Sequence, residues 1–136
     1  MALNIQQRER EGIPILDMDG RITVGPEASA MRDKIAALNA AGVRSVVLNL
    51  ARVDYIDSTG LGALVMCCTG MRKNGGNMKL LNLNRRNIEL LVMTKLATIF
   101  EIFNDEQDAV NSYYPDRKLK TFDILEFVQK MKKEEE

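Results

Sequence analysis

The chain has 136 residues, 46% of them hydrophobic and 28% charged, a balance typical of one globular domain rather than of a disordered segment. Its 19 basic and 19 acidic side chains leave no formal net charge, which argues against nucleic acid as a direct partner. The chain shows neither a membrane-length apolar run nor the apolar stretch of a signal peptide, so we expect a cytoplasmic protein with no membrane partner.

The N-terminal residues predict a β-hairpin. Apolar and polar residues alternate over residues 2–10, which indicates a first strand. Residues 13–18 predict a second strand, and Pro14 places that strand near a sheet edge or places the proline at the strand start. We expect a loop over residues 19–26 before the first helix, because Asp, Gly and Pro cluster there.

Helix and strand patterns then alternate. Pro26 suits the first turn of a helix, which Gly42 ends, and this helix carries apolar residues at helical spacing: Ala28, Met31, Ile35 and Leu38. Residues 45–50 are mostly apolar, as in a strand that is buried on both faces of a sheet. A second helix is predicted from a further set at helical spacing: Leu61, Leu64, Val65, Cys68 and Met71.

The C-terminal half continues in the same way. We expect a strand over residues 78–81, a helix carrying Ile88 and Leu91, a final strand over residues 99–103, and a short helix from a cap at Asp105 through Tyr114. The neighbouring cysteines Cys67 and Cys68 suit neither an intrachain disulfide nor a zinc site, so we interpret them as small residues in or near the core.

This order of elements predicts an α/β fold. Strands that alternate with helices after an N-terminal hairpin indicate a mixed, mostly parallel sheet with covering helices. We assign residues 1–114 to this domain and residues 115–136 to a charged linker and an extra amphipathic C-terminal helix. Four apolar residues lie near one face of that helix: Phe122, Leu125, Val128 and Met131.

The segment Asp54–Gly62 has the sequence DYIDSTGLG and follows a buried strand. From spacing alone, Ser58 is more simply a helix N-cap than a regulatory hydroxyl, and Asp57 suits the cap equally well. A phosphate-binding loop is a weaker alternative, because the Gly-Lys-Ser/Thr of a Walker motif is absent. Gly60 and Gly62 have no side chains, so we expect that another protein can approach the backbone closely here.

The longer segment DYIDSTGLGALV resembles the signature of STAS domains, above all of bacterial anti-anti-sigma factors (anti-sigma factor antagonists). Further similarities are the strand Val46–Leu50, the Gly75-Gly76 turn, and Thr94-Lys95-Leu96 before the last strand. The resemblance spans roughly residues 3–114 and implies the STAS-like fold. It also implies that Ser58 is the phosphorylated residue, with Thr59 as the runner-up.

The resemblance further implies a partner switch. The unphosphorylated protein would bind an anti-sigma factor that is a Ser/Thr kinase and release the sigma factor; phosphorylation of Ser58 would end binding, and a Ser/Thr phosphatase would reset it. A loop over Asp19–Thr23 would flank the phosphosite and help to bind the partner, and Arg21 is basic where the family is often acidic. The expected partner-binding residues are Asp57, Thr59, Gly60, Leu61, Gly62, Gly20, Arg21 and Thr23. Asp57 is expected mainly to cap or orient the turn, and Leu61 suits a partner contact and a core position about equally.

Two alternatives remain open. The chain could be a STAS subunit of a larger assembly, a stressosome or a lipid-transport complex, that acts as a scaffold without phosphorylation. It could also be a small hydrolase or nucleotide-using enzyme with Ser58 as nucleophile, although the chain has no histidine to act as base. We expect no catalytic residue, cofactor or metal. The C-terminal helix could pack back on the domain, form a homodimer, or add a partner surface.

Overall fold

The computed structural model describes residues 3–118 and 122–135. Within them the elements are β1 (Asn4–Arg10), β2 (Ile13–Ile22), α1 (Pro26–Ala40), β3 (Ser45–Ile56), α2 (Ser58–Lys73), β4 (Asn77–Leu81), α3 (Arg85–Met93), β5 (Ile102–Phe103), α4 (Glu106–Asn111) and α5 (Ile124–Glu135). This is the order that the sequence predicts. No helix in these ranges is both long and apolar enough to cross a membrane.

The strands form one sheet in the sequential order β1-β2-β3-β4-β5. β1 and β2 pair antiparallel as the predicted hairpin, and the other neighbouring strands pair in parallel. Pro14 is the second residue of β2, and the pairing with β3 begins only at Ile15, so the proline lies at the strand start. The predicted mixed, mostly parallel sheet is confirmed.

Both faces of the central strands are buried. Leu16 and Leu48 lie in the larger core cluster under α1, α2 and α3, whereas their neighbours Ile15 and Val47 lie in a smaller cluster under α4. This alternation explains why residues 45–50 read as a mostly apolar run. Cys67 and Cys68 are buried in the larger cluster, as predicted, and burial raises the pKa of the Cys67 thiol to about 11.

Two central strands are longer than the sequence predicts. β2 continues through the expected loop to Ile22, and β3 continues past Leu50 to Ile56, where these two isoleucines pair. Register shifts interrupt the ladder on either side of Asp19 and Gly20, and Gly20 has a positive φ of 128°. The bulged ladder therefore absorbs the residues that resemble a loop, while Ile22 remains fully buried.

The last strand and helix are shorter than predicted. β5 contains only Ile102 and Phe103, because the chain turns at Ile99 and Phe100 before the strand begins, and Phe100 is buried in the larger core cluster. Asp105 caps α4 as predicted, with its Oδ2 accepting a hydrogen bond of 3.0 Å from the N–H of Asp108. This helix ends at Asn111, so the prediction through Tyr114 was wrong.

The C-terminal segment packs back on the domain. The N–H of Phe122 donates a hydrogen bond of 3.0 Å to the carbonyl of Ile102 in the edge strand β5. Phe122 packs against the larger core cluster as predicted, together with Ile124 and Phe127. Leu125 is 69% exposed, so its place on the apolar face was wrong. Both positions 124 and 125 are apolar, so the sequence pattern alone does not distinguish the two faces.

Residues 119–121 of the predicted linker lie outside the described residues. The domain boundary at residue 114 stays a prediction.

Candidate functional site

The site is the junction between β3 and α2. Asp57 is the N-cap of α2 and has extended backbone angles. Its Oδ1 accepts a hydrogen bond of 2.7 Å from the N–H of Gly60, and its Oδ2 accepts one of 2.9 Å from the N–H of Val24. These bonds, that from Gly60 first, lower the pKa of Asp57, so the carboxylate stays ionised at neutral pH.

Ser58 is the first residue of α2 and is exposed. Of the two candidates for the N-cap, Asp57 takes that position, so the Ser58 hydroxyl is not required to satisfy the helix end. Thr59 is also exposed. The junction therefore presents two neighbouring hydroxyl groups to solvent at the positive end of a helix.

Gly60 has a different role from the one expected. A Cβ at this position would lie 1.9 Å from the carbonyl oxygen of Ile22, so the glycine lets α2 pack directly on the end of β2. Gly60 is buried, and the expectation that it opens the backbone to a partner is wrong. Gly62 is exposed, and a Cβ there would meet no atom within 4 Å. Its missing side chain therefore leaves the backbone of α2 accessible at this position.

Leu61 belongs to the core. Its side chain is only 5% exposed and lies in the larger core cluster. Of the two alternatives for this residue, the core position applies, and a direct contact of Leu61 with a partner is wrong because its side chain faces the sheet side of α2.

The loop after β2 lies beside the junction, but it begins only at Thr23, because residues 19–22 of the expected flanking loop belong to β2. The N–H of Asp57 donates a hydrogen bond of 3.2 Å to the carbonyl of Ile22, in addition to the bond between Val24 and the Asp57 carboxylate. Arg21 is exposed and Thr23 is half-buried, so both can contribute to a surface around Ser58. Gly20 is buried within β2, and its place is in the bulged ladder.

Sequence reasoning missed a groove on the other side of Ser58. The groove has a volume of about 280 Å³ and lies between the β3–α2 junction and α3; its lining residues include Tyr55, Ser58, Arg86, Glu89 and Met93. The guanidinium of Arg86 lies 4.8 Å from the centre of the Tyr55 ring. No local motif marks these residues. Only the position of α3 directly after a strand parallel to β3 places them at the same end of the sheet.

Exposed apolar side chains surround the junction. Val24 is 66% exposed, Met66 is 63% exposed and Met93 is 76% exposed. Val24 follows β2, Met66 lies two turns after Ser58 on α2, and Met93 lines the groove. Met18, Met31 and Met71 are buried in the core, so the exposure of Met66 and Met93 sets these two methionines apart.

The comparisons with known proteins agree with the fold. The STAS domain family model matches residues 4–109. The anti-sigma-B factor antagonist of Bacillus subtilis is 34% identical over 102 residues, covering 75% of this chain and 92% of that protein. That of Staphylococcus aureus strain NCTC 8325 is 30% identical over 105 residues, covering 75% and 85%. The Bacillus cell fate determinant SpoIIAA in its phosphorylated form has the same fold, with a TM-score of 0.64, 18% identity, and coverage of 81% of this chain and 99% of that chain.

Proposed function

The chain belongs to the STAS domain family, and on that premise we propose that it is an anti-sigma factor antagonist switched at Ser58. Unphosphorylated, it binds an anti-sigma factor that is also a Ser/Thr kinase, and the sigma factor is released. Phosphorylation of Ser58 ends this binding, and a Ser/Thr phosphatase restores it. The observation that carries the proposal is an exposed Ser58 hydroxyl at a helix start whose cap is already filled by Asp57.

A phosphate on Ser58 is compatible with the fold. It adds a charge of about −1.5 to −2, and the N–H groups and dipole of the first turn of α2 favour negative charge there. Asp57 keeps its bonds to Gly60 and Val24 without help from Ser58, so the junction can hold its shape. SpoIIAA, which shares the fold, is known in phosphorylated and unphosphorylated forms.

The phosphate should therefore act on docking. The proposed partner surface combines the exposed hydroxyls with the apolar side chains of Val24, Met66 and Met93. Burying a phosphate beside the Asp57 carboxylate against a partner would remove two negative groups from water, which is unfavourable unless the partner supplies matching cations. Of the two hydroxyls, we propose Ser58 as the phosphosite, with Thr59 as the runner-up.

Titration against the anti-sigma factor kinase tests the proposal. Ser58→Ala should bind as tightly as the unmodified protein, and Ser58→Asp should bind about tenfold more weakly or worse. Gln7→Glu is the matched control, because it adds one negative charge at an exposed position on β1, outside the proposed partner surface, and should leave binding unchanged. Equal affinities of Ser58→Ala and Ser58→Asp would contradict the switch.

Phosphorylation itself can be mapped by mass spectrometry after incubation with the kinase and ATP. Phosphate should appear on the unmodified protein and on Thr59→Ala but not on Ser58→Ala. The reverse result would move the phosphosite to Thr59. If protein from stressed cells carries no phosphate and copurifies with subunits of a larger assembly, the scaffold alternative is favoured instead.

Three further parts belong to the same proposal. The chain acts by binding rather than by catalysis, because both oxygens of the neighbouring Asp57 carboxylate are engaged by backbone N–H groups and the chain has no histidine to serve as a base for Ser58. It acts in the cytoplasm, where sigma factors work.

For the C-terminal helix we propose that it covers apolar surface of its own domain rather than forming a homodimer contact, because Ile124 and Phe127 already pack on that domain.

A further inference from the structure

The groove beside Ser58 contains charged groups of both signs. Its charged lining consists of Asp57 from the β3–α2 junction and Arg86 and Glu89 from α3. Asp57 is held by the N–H groups of Gly60 and Val24, and this site therefore keeps a negative charge next to Ser58. The Asp57 carboxylate would repel a second negative charge on Ser58, and a cation within reach would offset this repulsion in addition to the helix dipole.

Arg86 is the cation in this groove. The carboxylate of Glu89 forms a salt bridge of 2.9 Å with Arg85, which is not among the groove-lining residues. Arg85 also pairs with Glu134 of α5. Among the residues that the structure describes, no carboxylate forms a salt bridge with Arg86, whose guanidinium stacks on Tyr55. Two adjacent arginines of one helix thus have different surroundings, and only the second lines the groove together with Ser58.

We propose that Arg86 binds the phosphate of phosphorylated Ser58 within the same chain. This inference rests on the proposed function, because it concerns the phosphorylated state of that site. It adds a second effect to phosphorylation: the new phosphate introduces negative charge and also occupies the cation that the unphosphorylated surface presents to a partner.

The chemistry of the groove fits this pairing. A guanidinium presents its donors in a planar fork that matches two phosphate oxygens, and a phosphoserine offers three such oxygens. The stacking on the Tyr55 ring limits the orientations of the guanidinium, so less side-chain freedom is lost when it binds. The volume of about 280 Å³ is slightly below the roughly 300–1,000 Å³ of small-molecule sites, and it suits a phosphate group better than a nucleotide.

The test uses the full chain with phosphoserine incorporated at position 58 during translation. Phosphorus NMR at low salt follows the second ionisation of the phosphate as the pH is raised. Arg86 stabilises the dianion, so its removal should raise the titration midpoint. For Arg86→Gln we expect a rise of about 0.5–1 pH unit, the size of one exposed ion pair at close range.

Arg85→Gln is the matched control, because it removes the same charge from the neighbouring residue of the same helix. Its midpoint should rise by less than half as much, although it leaves Glu89 without its partner. Arg86→Lys should restore part of the effect, since a lysine keeps the charge but loses the fork. Circular dichroism should show the same helix content for all variants, because both arginines lie on the surface.

An unchanged midpoint in Arg86→Gln would overturn the pairing. Equal rises in Arg86→Gln and Arg85→Gln would also overturn it, since they would show only the general field of α3. Neither the kinase nor a sigma factor takes part in this measurement. Its failure can therefore be distinguished from failure of the partner switch, which is read from binding to the anti-sigma factor.

Discussion

Gly60 allows the sharpest test of how the site is built, through the substitution Gly60→Ala. In most helices alanine is more favourable than glycine by about 1 kcal/mol, so this change would ordinarily stabilise α2. Here the new Cβ would lie 1.9 Å from the carbonyl oxygen of Ile22, 2.7 Å from its carbonyl carbon and 2.9 Å from its Cγ2. Two of these atoms are backbone, which cannot rotate away.

The expected effect is a net loss of stability. To relieve the contact, α2 and the end of β2 must separate by roughly 1 Å, in an interior that is packed without spare volume. Overpacking of a core usually costs about 1–3 kcal/mol, and a backbone clash belongs at the upper end of that range. The separation also strains the hydrogen bond from the N–H of Asp57 to the same Ile22 carbonyl. After the gain in helix propensity is subtracted, we expect a loss of about 2 kcal/mol.

Urea unfolding followed by circular dichroism measures this difference. Gly62→Ala is the matched control, because it lies two residues further along the same helix and its Cβ would meet no atom within 4 Å. The control should gain up to about 1 kcal/mol from helix propensity alone. If Gly60→Ala proves as stable as the unmodified protein, or gains stability as Gly62→Ala does, the close approach of α2 to Ile22 is refuted.

Two further substitutions test contacts away from the site. Glu106→Gln removes the partner of Arg8, whose hydrogen bond is the main cause that lowers the pKa of Glu106 from 4.5 to about 2. The Glu106 carboxylate therefore contributes its full stabilisation above the higher of these values. Urea titrations should show that the difference in unfolding free energy between the unmodified protein and Glu106→Gln shrinks as the pH falls toward the lower value, and a difference that stays constant over this range would contradict the contact. Phe127→Ala should lower the free energy of unfolding by about 1–3 kcal/mol, and Leu125→Ala by less than about 0.5 kcal/mol; the opposite ranking would contradict the observed orientation of α5.

The order of elements was predictable because local patterns carry it. Helices α1 and α2 bury apolar residues at the helical spacing seen in the sequence, and the doubly buried β3 appears as an apolar run. Asp57 and Asp105 were recognised as candidate caps because an aspartate before a helical pattern satisfies free N–H groups. These features depend on neighbours within a few residues, so the sequence alone contains them.

The errors share a different cause. The extension of β2 to Ile22 depends on pairing with β3, and the burial of Gly60 depends on that extended end, so neither follows from nearby residues. The orientation of α5 likewise depends on packing against core residues that are distant in sequence. Arg86 belongs to the same class, because its place beside Ser58 results from the parallel pairing of β3 with β4.

The role of Asp57 explains why one residue can both support the site and restrict its chemistry. Its carboxylate accepts hydrogen bonds from the start of α2 and from the loop after β2. The fold therefore does not require the Ser58 hydroxyl, and Ser58 can be phosphorylated without loss of these contacts. The same carboxylate repels a phosphate on Ser58, and this repulsion cannot be removed without loss of the cap. A cation on a third element resolves the conflict. On this reasoning, Arg86 on α3 supplies that charge while the N–H groups of Gly60 and Val24 keep their hydrogen bonds to Asp57.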